Sequence, residues 1–227
     1  MIKAVIFDLD GTLLDSIDAF WRAFNNGVAV FQLPPVPRER LMECMDRGDR
    51  MPKMMGVLYP DFKVEEGSPL LTSIMVEIRK GFPNDDSEKM GLMSGARELL
   101  HLLKQRGLKM AVVTSRSMPV ERLANELRDL EIDHFMDAMV TSADSKRKPA
   151  PDTVIKCLQT LDVAPGECLM IGDSRVDVIA GKAAGVKTVA VTTGVAPSAA
   201  LAAESPDFIF DSLLSLVRQL DSILGEY

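Results

Sequence analysis

The chain has 227 residues, 47% hydrophobic and 26% charged, with a formal net charge of −7. That composition suits a soluble protein with a sizeable core, and the acidic balance excludes nonspecific binding to nucleic acid or to an anionic membrane. An acidic chain can still take an anionic substrate where a metal ion and a few cations dominate the local field.

In chain order, Lys3-Ala4-Val5-Ile6-Phe7 reads as an apolar strand running into Asp8. Asp15 or Ser16 can cap a helix reaching about Phe31, with Phe20, Phe24, Val28 and Phe31 on one stripe. Pro34 to Pro37 ends it and starts a second helix, Arg38 to Arg47, and further helices are expected near Lys53 to Leu58 and from Leu70 to Lys80. Gly81 to Gly91 reads as a linker. The pattern then becomes strand-helix alternation: helix Ala96–Arg106, strand Lys109–Thr114, helix Val120–Leu130, strand Ala138–Thr141, helix Pro151–Leu161, strand Glu167–Gly172, helix Val176–Ala184, strand Lys187–Val191 and an edge strand Asp207–Phe210. A single last helix places Leu213, Leu216, Val217, Leu220 and Leu224 on one face.

Alternation with strands that are apolar throughout implies a parallel sheet covered on both faces. The fold class is α/β: a Rossmann-like, three-layer core, which the first strand must join, with a small helical domain inserted. The core is expected over 1–15 and 84–227, and the inserted helical domain over 16–83. Cys44, Cys157 and Cys168 lack metal-like spacing and read as reduced buried thiols; His101 and His134 stand alone, outside any zinc pattern. No apolar run reaches bilayer length, and Met1-Ile2-Lys3 leads directly into a strand without a signal peptide, so the cytoplasm is expected.

The chemistry gathers at strand ends, where open α/β sheets bind ligands. Two carboxylates one residue apart, Asp8 and Asp10, followed by Gly11-Thr12, are costly at the end of a buried strand unless something pairs with them. Thr114 and Ser115 end the second core strand with a hydroxyl and backbone N–H groups suited to a phosphoryl oxygen. Lys146-Arg147-Lys148-Pro149-Ala150-Pro151-Asp152 leads into a helix, and Gly172-Asp173 ends a strand with Asp177 one helical turn on. Gly181-Lys182 is no P-loop, because Val176 stands where the earlier glycine is required and no Ser or Thr follows the lysine.

Asp8-Leu9-Asp10-Gly11-Thr12-Leu13-Leu14-Asp15-Ser16 resembles the first motif of the haloacid dehalogenase-like hydrolases, a superfamily composed mostly of magnesium-dependent phosphatases. The later strand-end runs match its remaining motifs in order. The resemblance implies Asp8 as nucleophile, Asp10 as general acid and base, and Thr114, Ser115 and Lys148 as phosphate ligands. It also implies Mg2+ held by Asp8, the backbone carbonyl of Asp10, and Asp173, with Asp177 acting through water or orienting Lys148. The second aspartate favours phosphoester chemistry, where an alkoxide leaving group needs a proton. Arg116, Lys146 and Arg147 are expected to be solvated.

Lys148-Pro149-Ala150-Pro151-Asp152 and Gly181 to Val186 resemble most the phosphoglycolate phosphatases and their pyrophosphatase relatives, with beta-phosphoglucomutases close by. Those mutases usually carry a histidine where this chain has Phe20. The expected activity is therefore Mg2+-dependent hydrolysis of a small organic phosphate, phosphoglycolate-like, through an aspartyl-phosphate. The alternatives are a sugar-phosphate mutase, a pyrophosphatase or, less favoured, a phosphorylatable signalling domain. Arg47, Arg50 and Lys53 are candidates to meet an anionic substrate tail, and methionines 42, 45, 51, 54 and 55 either line an adaptable pocket or simply pack the helices. The expected partner is a small phosphorylated molecule, and the oligomeric state is left open.

Overall fold

The computed structural model describes residues 1–82, 90–143 and 145–225. The chain divides into two compact units, Met1–Asp15 with Gly91–Tyr227, and Ser16–Met90. The return boundary expected at 83/84 lies outside the described residues.

The first unit holds six parallel strands: β1 (Ala4–Asp8), β2 (Lys109–Val113), β3 (Ala138–Val140), β4 (Cys168–Gly172), β5 (Lys187–Val191) and β6 (Phe208–Phe210), in the spatial order β3-β2-β1-β4-β5-β6. The order reverses beside β1, the position where doubly wound sheets open a crevice at their carboxyl ends. Alternate residues feed two cores. Val5, Phe7, Val112, Leu169 and Ile171 join Leu99, Leu103, Leu123 and Leu127 on one face. Ala4, Ile6, Ala111, Val113 and Met170 join Val154, Cys157, Leu161 and Ala180 on the other. This is the expected three-layer α/β arrangement.

Register fixes the site. Asp8 is level with Val113, and Phe7 with Ile171, so residues just past the ends of β1, β2 and β4 reach one rim. The single C-terminal helix expected from the leucine stripe is instead broken at Arg218-Gln219 into Leu213–Val217 and Leu220–Leu224; Leu213 and Leu216 of the first piece and Leu220 and Leu224 of the second are buried in the same core. A short helix at Ser198–Ala203 went unexpected, because Leu201 is its one buried residue and leaves no periodic signal.

The second unit comprises α1 (Ile17–Ala29), α2 (Arg38–Asp46), α3 (Met51–Leu58) and α4 (Pro69–Lys80). α1 and α4 approach through Gly27, where an added Cβ would lie 2.5 Å from the Ile78 nitrogen. Asn25 closes the turn after α1, accepting from Val36 N–H at 2.7 Å and donating to its carbonyl at 3.1 Å. Met42, Met54 and Met55 are buried. All three cysteines are free and buried. Among the described residues no helix is long and apolar enough to cross a membrane.

Candidate active site

β1 delivers Asp8 to the rim and then turns at once. Leu13 and Leu14 N–H both return to the Leu9 carbonyl, and Gly11 takes a φ of 79°, a conformation that costs glycine little. Thr114 follows β2 directly and is 1% exposed. Its hydroxyl oxygen accepts from Arg116 N–H at 3.1 Å, which leaves its own proton to donate elsewhere. Ser115 is half-buried.

β4 delivers Asp173, and the following helix, Arg175–Ala183, begins with a capping box formed by Ser174 and Asp177. Asp177 Oδ2 accepts from Ser174 N–H at 3.1 Å, and Oδ1 accepts from Lys148 Nζ at 2.5 Å. Gly172 is required here because the Asp177 side chain fills the space where a Cβ would stand. The lysine that follows β3 at a distance in sequence thus ends up 2% exposed, bridging Asp177 and Asp8 through its ammonium group. An ammonium buried this deeply needs both partners. Burial alone would depress its pKa, but Asp177 and Asp8 together raise it.

Asp8, Asp173 and Asp177 offer oxygens within 4.8 Å of one another, all buried. Fully ionised, three carboxylates would face one ammonium and leave two negative charges uncompensated. Burial, then Asp177 and Asp10, push the Asp8 carboxyl up to about 7 against the opposing pull of Lys148. Burial and the negative charges of Asp8 and Asp177 likewise hold Asp173 well above the usual carboxylate range, despite the Val195 N–H bond. Hard oxygen donors with a charge deficit of two fit a small divalent cation.

The structure therefore brings together Asp8, Lys148, Asp173 and Asp177, and the register places Thr114 at the same rim. Asp10 points to a different partner. Arg116 grips its carboxylate through Nε, 2.7 Å from Oδ2, and through Nη2, while Nη1 holds Glu126 at 2.8 and 2.9 Å. The expected solvated Arg116 is thus corrected: its side chain is 24% exposed and doubly ion-paired. Burial lowers its pKa and the two carboxylates more than restore it. Nothing local in the sequence links Glu126 to Asp10, 116 residues earlier. Lys146 is exposed as expected, whereas Arg147 is half-buried and not solvent-surrounded. Two further contacts escaped the sequence reading, Thr12 and the loop after β5. The Thr192-Thr193-Gly194 run follows a core strand, and its position at a strand end was the available signal.

Arg47, Arg50 and Lys53 each have an acidic partner within the helical unit. Arg47 and Lys53 converge on buried Asp49, at 2.9 and 2.7 Å, and Arg50 meets Glu66 at 2.9 Å. Burial would raise the Asp49 carboxyl, but Lys53 and Arg47 hold it below the usual range.

The sequence model of the haloacid dehalogenase-like hydrolases matches residues 5–191. The chain belongs to that family of hydrolases. A PpaX-type relative from Clostridium perfringens is 33% identical over 98% of this chain and 100% of its own length. The pyrophosphatase PpaX of Bacillus cereus is 30% identical over 98% of both chains. Among solved structures, a protein of Haemophilus somnus described as a predicted phosphoglycolate phosphatase superposes with a TM-score of 0.80 at 22% identity, covering 96% of this chain and 98% of that one. That likeness concerns the fold.

Proposed function

We propose that the chain is a Mg2+-dependent phosphatase of small phosphate compounds, working in the cytoplasm through an aspartyl-phosphate on Asp8. The observation that carries this reading is the buried Asp8–Lys148–Asp177 bridge beside Asp173, which holds a nucleophile rigidly at a strand end with a charge deficit suited to a cation. Asp8, Asp173 and the Asp10 carbonyl would hold Mg2+, with Asp177 orienting Lys148. When bound, the ion neutralises the phosphoryl oxygens and fixes their direction.

An Asp8 carboxylate oxygen attacks phosphorus in line, the bond to the leaving oxygen breaks, and that oxygen takes a proton from the Asp10 carboxyl, which gives up its Arg116 pair to carry one. Lys148 and the Thr114 hydroxyl stabilise the transferring oxygens, with the Ser115 backbone beside them. Asp10, now ionised, takes a proton from water, whose oxygen attacks phosphorus and releases phosphate and free Asp8.

The names of the relatives support inorganic pyrophosphate as the first substrate to test, alongside the phosphoglycolate-like monoester that the motifs resemble. Phe20 disfavours the mutase. A substrate panel with and without Mg2+ decides between these, with Asp8→Asn as control. Wild type should turn over p-nitrophenyl phosphate and at least one of the two named substrates only with Mg2+, and Asp8→Asn should lose at least about 10³-fold. Wild-type turnover by Asp8→Asn would end the nucleophile assignment.

A further inference from the structure

Asp173 is held more tightly than a bare ligand requires. Its Oδ1 accepts from the Thr12 hydroxyl at 3.1 Å. Its Oδ2 accepts from Val195 N–H at 2.8 Å and lies between two glycine backbones. A Cβ on Gly11 would come 2.7 Å from that oxygen, and one on Gly194 would overlap the same carboxylate. The loop after β5 is itself tied down twice: the Thr193 hydroxyl donates to the Gly11 carbonyl at 2.7 Å, and Ala196 N–H to the Asp173 carbonyl at 3.3 Å. Loops after β1, β4 and β5 thus close on one side chain.

We propose that Thr12, Gly194 and the Val195 backbone are positioning residues that leave Asp173 a single oxygen, Oδ1, to offer a cation, and so select Mg2+ over Ca2+. The inference rests on the reading of Asp173 as a metal ligand. Each carboxylate oxygen has two lone pairs. Oδ1 keeps one beyond its bond to Thr12, whereas Oδ2 is enclosed. Calcium takes six to eight oxygens at longer distances and readily uses both oxygens of a carboxylate; magnesium demands a compact octahedron. A carboxylate that cannot turn cannot offer both oxygens to the larger ion. Outer partners of this kind typically govern metal affinity by 10–100-fold.

The test is calorimetric titration of Mg2+ and of Ca2+ into the metal-free full chain, as wild type, Thr12→Val, Thr12→Ser and Gly194→Ala, with circular dichroism to establish folding. Thr12→Val and Gly194→Ala should weaken Mg2+ about tenfold or more and Ca2+ by no more than about threefold, while Thr12→Ser keeps wild-type values. Unchanged Mg2+ affinity in folded variants, or equal loss for both ions, would overturn the selection. Wild type that binds neither ion would overturn the metal-site reading as well, whereas wild-type binding with unaltered variants would overturn this inference alone. If Gly194→Ala does not fold, Thr12→Val against Thr12→Ser carries the test.

Discussion

In the α/β unit, Lys148 and its two carboxylate partners are almost wholly out of solvent, whereas in the helical unit Arg50 and Glu66 meet with about two thirds of each side chain exposed. Both are ion pairs of short N···O distance, yet they obey different physics. The first exists only because the sheet brings the end of β1, the helix that follows β4 and the segment that follows β3 together, and each member would be intolerable alone. The second forms between flexible chains in water and contributes little. Asp49, 5% exposed under two partly exposed cations, stands between these extremes. Burial removes the alternative of hydration, so the members of the buried bridge must satisfy one another, whereas those of the exposed pair need not.

The largest break in that comparison comes from removing the buried cation. Lys148→Met leaves Asp8 and Asp177 facing each other without compensation, and should cost about 3–5 kcal/mol in metal-free chemical denaturation. Turnover should fall with it. Mg2+ should recover part of the stability but not the rate, since Lys148 is the phosphoryl contact proposed above. A metal-free variant as stable as wild type would mean that the bridge is not the element holding the rim together.

Protonation sharpens the same contrast. Burial first, then Asp177 and Asp10, push the Asp8 carboxyl from 3.8 to about 7, and Asp173 moves in the same direction. A carboxyl that holds its proton more tightly folded than unfolded adds stability below its unfolded pKa, and loses it as pH rises through the folded value. In EDTA the α/β unit should therefore weaken steadily between about pH 4 and 7. Mg2+ should flatten that slope, and Asp8→Asn should reduce it. Denaturation midpoints followed by circular dichroism across this range provide the measurement. Asp49 has the opposite sign: its lowered carboxyl pKa stabilises the helical unit above the usual carboxylate range and releases that contribution in acid.

Asp49→Asn measures the intermediate case. It removes a buried charge-assisted acceptor from Arg47 and Lys53, for an expected loss of about 1.5–3 kcal/mol. Trp21, the single tryptophan, donates to the Val36 carbonyl at 2.9 Å inside the helical unit, so its fluorescence reports that unit directly. The Trp21 transition should move with Asp49→Asn.

These contrasts also explain what could be read from the sequence. β1, β2, β4 and β5 are short apolar runs, and their ends carry Asp8, Thr114 and Asp173, so both the sheet and the rim were legible. The Lys148 bridge was legible because the motif's order implied it. The Glu126–Arg116–Asp10 chain was not, since a charged residue in the amphipathic helix Val120–Asp129 looks the same whether it faces water or an arginine. Gly194 was equally silent: its reason is the Asp173 carboxylate lying where a side chain would go, a contact between residues 21 apart in sequence. In the helical unit the helices were legible from their caps and prolines, but the partners of Arg47, Arg50 and Lys53 depend on how the α2–α3 loop folds, which periodicity does not encode.

The smallest effect on stability belongs to Arg50→Ala, and it separates the two readings of the helical unit's cations. Its partner Glu66 is exposed, so the pair should contribute no more than about 0.5 kcal/mol, and the Trp21 transition should barely move. Activity can still respond. If the guanidinium meets the anionic tail of the substrate, KM should rise several-fold for pyrophosphate or phosphoglycolate while p-nitrophenyl phosphate, which lacks a second anionic group, keeps its KM. An exposed arginine satisfied by Glu66 alone would leave all three values unchanged. Glu66→Gln is the matching control: it frees Arg50 without removing it, so the same role predicts an equal or lower KM for the doubly anionic substrates.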